Sequence, residues 1–574
     1  MIRLVKRAGL FLASVMLCAT NAYAASGNSV DLLSYIPADT PYVFVSTEPL
    51  PSKVADKLEP TIDEILQVYQ RILRHLMAEQ LVKMAGEENS AEEAEQFRGV
   101  MEEVLGLVSL EGIRGAGIER ASAFALYGNS LLPVLRFELS DDDLFDAAIE
   151  RIEKKAGEDL LIGVANGESY KYTDTEQVRL IIATVDDQAI ITAVPVQFSE
   201  PQIAEALGLK KPRASLKSSK ALKSMAKEYG FSDYMTGFIN NQRIAEIFTG
   251  KATEKDKQLL AAFSEQPPEL SETCSAEIME MVGIAPRMVF GYSDINIREL
   301  KSSFIVELRK DIAKSLATIP APVPGLGTDP GGLMSIGFGL NPLALRSFYE
   351  AQLDAMEADP YECESFADLQ AGVAKGREAL NQPVPPVVYS FRGMVANITD
   401  LQSMDFASNI TPESIDASIL IAVENAEALI MMAAMMDPQI AALNLLPDGK
   451  ARKLELEQLA EFAGMAYAAL STNALSVSLG ASAEKKSADM LLASAPDPAP
   501  FMSMSMDSAR YYAMVGETMA KQPTAEGEEE IPPAIRAAMA ELMTLSGSLY
   551  DRMFLDVRFT ERGVEIGANM TLSD

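Results

Sequence analysis

Cys274 and Cys363 are the first residues of this chain whose types could do chemistry. Two thiols in an oxidising compartment can close a disulfide, and across so long a loop the bridge stabilises by roughly 4 kcal/mol in the chain-entropy model. Two separate buried thiols are the alternative. Neither cysteine belongs to a C-x-x-C spacing, so redox catalysis is not indicated.

A second feature is electrostatic. Between Glu205 and Glu228 there is no acid, yet the stretch holds Lys210, Lys211, Arg213, Lys217, Lys220, Lys223 and Lys227. On a helix, Lys220, Lys223 and Lys227 share one face. Such a patch could dock an anionic partner: lipid headgroups, an acidic envelope protein or an acidic face of the same molecule. The plainer reading is a solvated helix whose lysines are satisfied by nearby acids.

Hydrolytic chemistry finds little support. S-x-x-K occurs at Ser224-Met-Ala-Lys227 and Ser482-Ala-Glu-Lys485, the spacing in which penicillin-binding enzymes activate a serine, but no K-T-G follows. Paired carboxylates could hydrolyse glycosides, yet among 82 acids, with no tryptophan to stack on sugar, no pair stands out. The sole histidine, His75, falls at the edge of a helical apolar stripe; a zinc enzyme needs two or three, and a Ser-His-Asp triad would have to use this one. There is no G-x-S-x-G elbow, P-loop or dinucleotide fingerprint. Methionine is abundant, at 29 residues, and Met502, Met504 and Met506 alternate so as to share a strand face. Thioethers suit Cu(I); the simpler use is a face filled by an adaptable side chain. Met431, Met432, Met435 and Met436 read as helix packing. No metal and no cofactor is expected.

The address comes from the first residues. Arg3, Lys6 and Arg7 precede an apolar run from Ala8 to Ala19, too short to span a bilayer, and Ala22-Tyr23-Ala24 supplies a cleavage pattern. Leu17 before Cys18 is not the small residue that lipoprotein signals require. Residues 1–24 are therefore expected to be a signal peptide, with the remainder exported to the periplasm. No later stretch reads as a transmembrane helix. The net charge of −33 becomes more negative once the basic leader is removed, which disfavours nucleic acid as a partner.

The elements that must position these residues change period along the chain. A helical hairpin is expected over 61–105. Its first helix opens on a Thr61-x-x-Glu64 capping box just after Pro60, and its second opens on Ser90-x-x-Glu93. Strands are expected from Ala121 to Tyr127 and from Pro133 to Leu139, then a helix from Asp141 to Ala156. A meander should follow over 168–173, 178–185 and 188–194, and helices near 200–207 and 219–229. One joint recurs: a strand ends in an Asn, Asp or Ser that can cap the next helix, in the runs Phe137 to Leu144, Gly237 to Arg243, Gly337 to Leu343, Ile421 to Ala426 and Met504 to Ser508. The recurrence predicts an α+β fold of two related halves, each an antiparallel sheet covered by helices, with the hairpin in addition. The Pro/Gly run 320–332 is expected to link an N-terminal domain, 25–319, to a C-terminal one, 333–574. Gln522 to Pro533, with Glu528 to Glu530, reads as a solvated loop before a helix near 533–549 and a closing hairpin.

Ile36-Pro-Ala-Asp-Thr-Pro-Tyr-Val43, directly after a leader, resembles the mature start of exported bacterial proteins grouped as a domain of unknown function. The joints at Ser140-Asp-Asp-Asp143 and Met506-Asp-Ser508 are similar too. The resemblance implies a Gram-negative periplasmic setting and an α+β fold, and it carries no catalytic residues. Together these features point to a periplasmic protein with a non-catalytic binding or envelope-support role. An envelope hydrolase using carboxylates or a serine, and a carrier of an apolar ligand, are the alternatives. Intact-mass measurement of the exported protein should give a chain beginning at Ala25; a chain retaining Met1 to Ala24 would overturn the assigned leader.

Overall fold

The computed structural model describes residues 31–85, 91–120, 122–263, 270–401, 415–455, 465–521 and 531–573. The leader, the Ser90 cap and most of the Gln522–Pro533 stretch lie outside these residues. The fold class is α+β, with extensive antiparallel sheet. The chain forms two compact units, each discontinuous in sequence. Met1–Val282, Pro286–Ser302 and Glu530–Ser546 make the first; Gly283–Ala285, Ser303–Glu529 and Gly547–Asp574 make the second.

Strands of the first unit are β1 (Tyr42–Ser46), β2 (Phe124–Asn129), β3 (Leu132–Glu138), β4 (Leu161–Ala165), β5 (Glu168–Asp174), β6 (Val178–Val185), β7 (Gln188–Pro195), β8 (Thr236–Asn240) and β9 (Arg287–Ile295). Their spatial order is β4-β5-β6-β7-β3-β2-β1-β8-β9, antiparallel at every step. β10 (Glu299–Glu307) has residues in both units. The expected meander is β5-β6-β7. Asp186-Asp187 turns it with φ of 52° and 56°, the left-handed pair that a two-residue hairpin needs. Sequence periodicity did not indicate β4. Asn166-Gly167, a type I′ signal, joins it to β5.

Each recurring joint caps its helix as the residue type dictates. Asp141 accepts from the Leu144 N–H at 3.1 Å, Asn240 from Arg243 at 2.9 Å and Asn425 from Ala428 at 2.9 Å. Asn341 accepts from Leu343 at 3.2 Å, with Pro342 opening the helix Pro342–Ala358, and Asp507 accepts from Arg510 at 3.0 Å.

Two helices depart from expectation. The first runs Ser52–Ala85 with Pro60 inside it, not before it. Nucleation lies upstream, where the Pro51 carbonyl accepts from Val54 and Ala55 N–H. Proline in a helix interior costs about 3 kcal/mol. That cost is offset where Ile65, Val68 and Ile72 pack against Ala538, Leu542 and Leu545 of the helix Pro533–Ser548. The second departure is at Lys220, whose φ of 56° breaks the expected 219–229 helix into Leu216–Ser219 and Ala221–Tyr229.

A buried ion pair fixes the turn between β2 and β3. Asp256 is fully buried; it accepts from Ser130 Oγ at 2.5 Å, Arg243 Nη2 at 2.6 Å and Thr253 N and Oγ1 at 2.8 Å. Arg243 Nε also donates to the Asp39 carbonyl at 3.2 Å, just ahead of β1. Burial pushes the Asp256 carboxyl up, but the bonds from Ser130, Arg243 and Thr253 outweigh it and hold the group below its ordinary value.

The second unit holds β11 (Met334–Gly339), β12 (Phe391–Leu401), β13 (Ile415–Val423), β14 (Arg452–Lys453), β15 (Ala466–Leu470), β16 (Ala474–Leu479), β17 (Met502–Asp507), β18 (Tyr550–Thr560) and β19 (Gly563–Leu572). Their order is β14-β15-β16-β13-β12-β11-β17-β18-β19, again antiparallel at every step. The Pro320–Gly332 stretch lies within this unit and, as its composition requires, forms no helix or strand. It crosses one sheet face, where Val323 and Leu326 are fully buried against Val395, Leu420 and Met490. Only glycine permits its approach at Gly339, where a Cβ would lie 2.1 Å from the Ala321 carbonyl oxygen. Arg552 secures the stretch, donating to Asp329 Oδ2 at 2.9 Å and to the Gly332 carbonyl at 2.6 Å.

Removing one partner of a buried ion pair costs about 3–5 kcal/mol, so Asp256→Ala should lower thermal stability by that order. A depressed folded-state pKa gives stability that is complete above the ordinary aspartate value and is lost as pH falls through the folded one. Thermal melts of Asp256→Asn should therefore show a smaller acid-induced loss than the parent protein; equal losses would assign the acid sensitivity elsewhere.

Candidate functional site

Successive residues of a strand face opposite sides, so register alone assigns both faces of the second sheet. On one face β11 contributes Met334, Ile336 and Phe338, and β12 contributes Met394, Ala396 and Ile398. β13 and β16 add Ala417 opposite Leu479, Ile419 opposite Val477 and Ile421 opposite Leu475. β17 and β18 add Met506 opposite Met553, Met504 opposite Leu555 and Met502 opposite Val557. β19 completes the rows with Ile566, Ala568 and Met570. No polar side chain interrupts them.

The opposite face carries Ser335, Asn397, Ser418, Ser478, Ser503 and Ser505 at matching positions. Val395, Leu420 and Ala422 share that face with the serines and form its buried apolar cluster, so one face is covered and the wholly apolar one is not. The serines lie under the Pro320–Gly332 stretch and the helix Ala483–Leu492 and are almost wholly buried, with Ser478 at 0% and Ser505 at 1% exposure. The aliphatic face is half-exposed: Ile336, on a strand with a neighbour at each side, is 41% exposed, and Ile566 is 38%. Burying an isoleucine fully is worth about 1.5–3 kcal/mol, so each such position forgoes part of that gain. Contiguous exposed apolar surface is a common feature of interaction sites.

Local sequence sets its margin. Asn425 caps the helix Ala426–Met436, which turns over one end of the face and packs Leu429 and Ile430 against the buried Val423 and Leu470, the cluster that Ile421 and Leu475 also join. The rest of that helix stays open, with Met435 86% and Met436 83% exposed. These methionines do not pack as the helical pattern suggested. On the sheet, Met506 is buried, whereas Met502 and Met504 are only half-buried. Unbranched thioether side chains adapt to varied apolar partners.

On the serine face a cavity of about 250 Å³ opens between the Pro/Gly stretch and the helix Ala483–Leu492. Lys486 stands in it, its Nζ 2.5 Å from Asp416 Oδ1 and 3.0 Å from Thr399 Oγ1, with Asn397 and Ser418 in the floor. This ammonium already has a carboxylate partner, and Asp489 adds a second carboxylate to the lining.

The residues singled out by sequence lie elsewhere. Cys274 lies on the helix Glu272–Ile284 of the first unit, and Cys363 is buried in the second. The basic patch does not assemble as one helical face. Lys210 pairs with Glu205 at 2.9 Å, Lys217 pairs with Asp31, and Lys211 lies 4.3 Å above the Tyr35 ring. Lys220 sits at the break between two short helices, leaving Lys223 and Lys227 on the second, with Arg213 exposed before the first. His75 is exposed on its helix, and Ser224 and Ser482 are exposed as well. The apolar face was partly legible in the Met502–Asp507 alternation. Which side would be covered was not, because burial of the serines depends on a distant loop.

No helix among the described residues is long and apolar enough to cross a membrane. Searches of family models, curated proteins and solved structures found no match to this chain.

Thiol titration of the denatured mature protein should detect no free thiol before reduction, and both Cys274 and Cys363 after it. Free thiols in the unreduced protein would refute the bridge.

Proposed function

We propose that this chain is an exported, periplasmic, non-catalytic binding protein that carries an apolar ligand of the acyl-chain type on the open sheet face of its second unit. The observation that carries this reading is the continuous isoleucine and methionine face left half-exposed, while the opposite face, which mixes serines with Val395 and Leu420, is covered. A flexible hydrocarbon needs apolar area and adaptable side chains more than directed hydrogen bonds, and methionine-rich faces supply both. The leader residues and the resemblance of the Ile36–Val43 segment to exported proteins support the location.

The two units are best understood as halves built on one plan. The order β4-β5-β6-β7-β3-β2-β1-β8-β9 maps onto β14-β15-β16-β13-β12-β11-β17-β18-β19 when β1 is set on β11, apart from β4, which has no counterpart, and β19, which takes the place of β10. Capped joints then coincide, after β3 and β13 and after β8 and β17. Leu33-Ser-Tyr-Ile-Pro-Ala38 ahead of β1 also matches Leu316-Ala-Thr-Ile-Pro-Ala321 ahead of β11, with Ile36 and Ile319 both buried. An N-terminal helical hairpin, Ser52–Ala85 with Ala91–Gly106, is supported by Gln70 Nε2, which donates to the Leu105 carbonyl at 2.8 Å. On this plan one half has kept a covered core and the other has opened its apolar face.

Binding of N-phenyl-1-naphthylamine, displaced by palmitate, tests the proposal. The parent protein should enhance the dye's fluorescence, and palmitate should reverse it. Ile336→Glu and Met504→Glu, on neighbouring central strands, should each weaken binding at least tenfold with little change in the melting temperature. Variants that bind as the parent does, or a parent that binds neither probe, would sink it.

A further inference from the structure

The edge of the first sheet carries a feature that ligand binding in the second unit does not use. Among the described residues, the one ladder of β4 is with β5. The two-residue turn at Asn166-Gly167, with φ of 50° and 89°, makes Ala165 and Glu168 the closing hydrogen-bonded pair. In an antiparallel ladder the bonding direction alternates, so Leu161, Gly163 and Ala165 bond to β5 while the N–H and C=O groups of Ile162 and Val164 point away from the sheet. Their side chains are also uncovered: Leu161 is 56% exposed, Ile162 71% and Val164 59%.

Edges of this kind recruit other strands, and soluble proteins usually guard them with lysine, proline, a bulge or a very short strand. The corresponding margin of the second unit is guarded in that way, since β14 is only Arg452–Lys453. β4, with the sequence Leu-Ile-Gly-Val-Ala, has none of these devices.

We infer that β4 is the seam of a homodimer, pairing antiparallel with β4 of a second copy about a two-fold axis through Gly163. The self-complementarity of the strand identifies the occupant. With Gly163 on the axis, Ile162 of each copy falls opposite Val164 of the other, and these are the residues whose backbone groups point outward. Each such pair exchanges two hydrogen bonds, and the two-fold doubles the set. The β-branched side chains of Ile162 and Val164 then meet across the seam on one face, a favourable cross-strand pair. On the axis itself no side chain intrudes. The glycine is also required within each copy, because a Cβ at Gly163 would lie 2.3 Å from the Tyr170 ring. One short seam buries less area than a standard stable interface, so the dimer should dissociate on dilution.

Sedimentation velocity of the mature chain, over a range of protein concentrations, provides the test. The parent should shift from monomer to dimer with concentration. Ile162→Lys should weaken dimerisation at least tenfold, and its exposed position leaves folding intact, as an unchanged melting temperature would report. Val164→Pro removes one outward N–H without touching the ladder to β5, and should act in the same direction. Hydrogen exchange at the Ile162 and Val164 amides should slow as the parent is concentrated. A parent that stays monomeric throughout, or a dimer indifferent to Ile162→Lys, would overturn the inference. So would amides protected in the monomer by a co-purifying polypeptide, which would make the occupant a foreign strand.

Discussion

The strict alternation of side chains along a strand is the constraint from which the second unit follows. Once β11 places Ser335 and Gly337 on one side, Met334, Ile336 and Phe338 must occupy the other. The serine side is small enough for the Pro320–Gly332 stretch and the helix Ala483–Leu492 to settle closely, and several of its hydroxyls find partners as they do so, although Ser478 Oγ is buried without one among the described residues. Ser503 accepts from the Gly327 N–H at 2.8 Å, and Ser335 donates to Asn397 at 2.7 Å. The apolar side is bounded by the helix Ala426–Met436 and by Leu443, Leu445 and Leu454, which pack over its β15–β16 end.

Features decided within a few residues were legible in sequence. Asn and Asp at strand ends cap the following helices because their side-chain oxygens reach the N–H groups two or three residues on. The meander was readable from Asp186-Asp187, and the closing hairpin from Glu561-Arg-Gly563, where Gly563 takes a φ of 144°. Features decided by distant partners were not. Thr61-x-x-Glu64 is a sound capping signal, yet packing against Ala538 and Leu542 carries the helix through Pro60 instead. The candidate site fared worse than the fold. Alternation at Met502, Met504 and Met506 was visible, but exposure depends on what covers the far side of the sheet.

The basic run illustrates the same division. Seven cations without an intervening acid look like one surface when the chain is read as a line. In three dimensions Asp31 and Glu205 answer two of them, an aromatic ring takes a third, and Lys220 leaves the helix altogether. Buried cations behave differently. Arg136 is fully buried, donates to Gln188 at 2.9 Å and to the Leu207 carbonyl at 2.5 Å, and lies 4.0 Å from the Tyr35 ring centre. Nothing in the composition distinguishes that arginine from one on the surface.

The packing of Val68 against Ala538 and Leu542 also sets an order in time. The first unit takes a helix from near the end of the chain, so its helical layer cannot close until almost all of the polypeptide is present. Until then Ile65, Val68 and Ile72 lack the partners that bury them, and closure of this layer is a late step in the folding of the first unit.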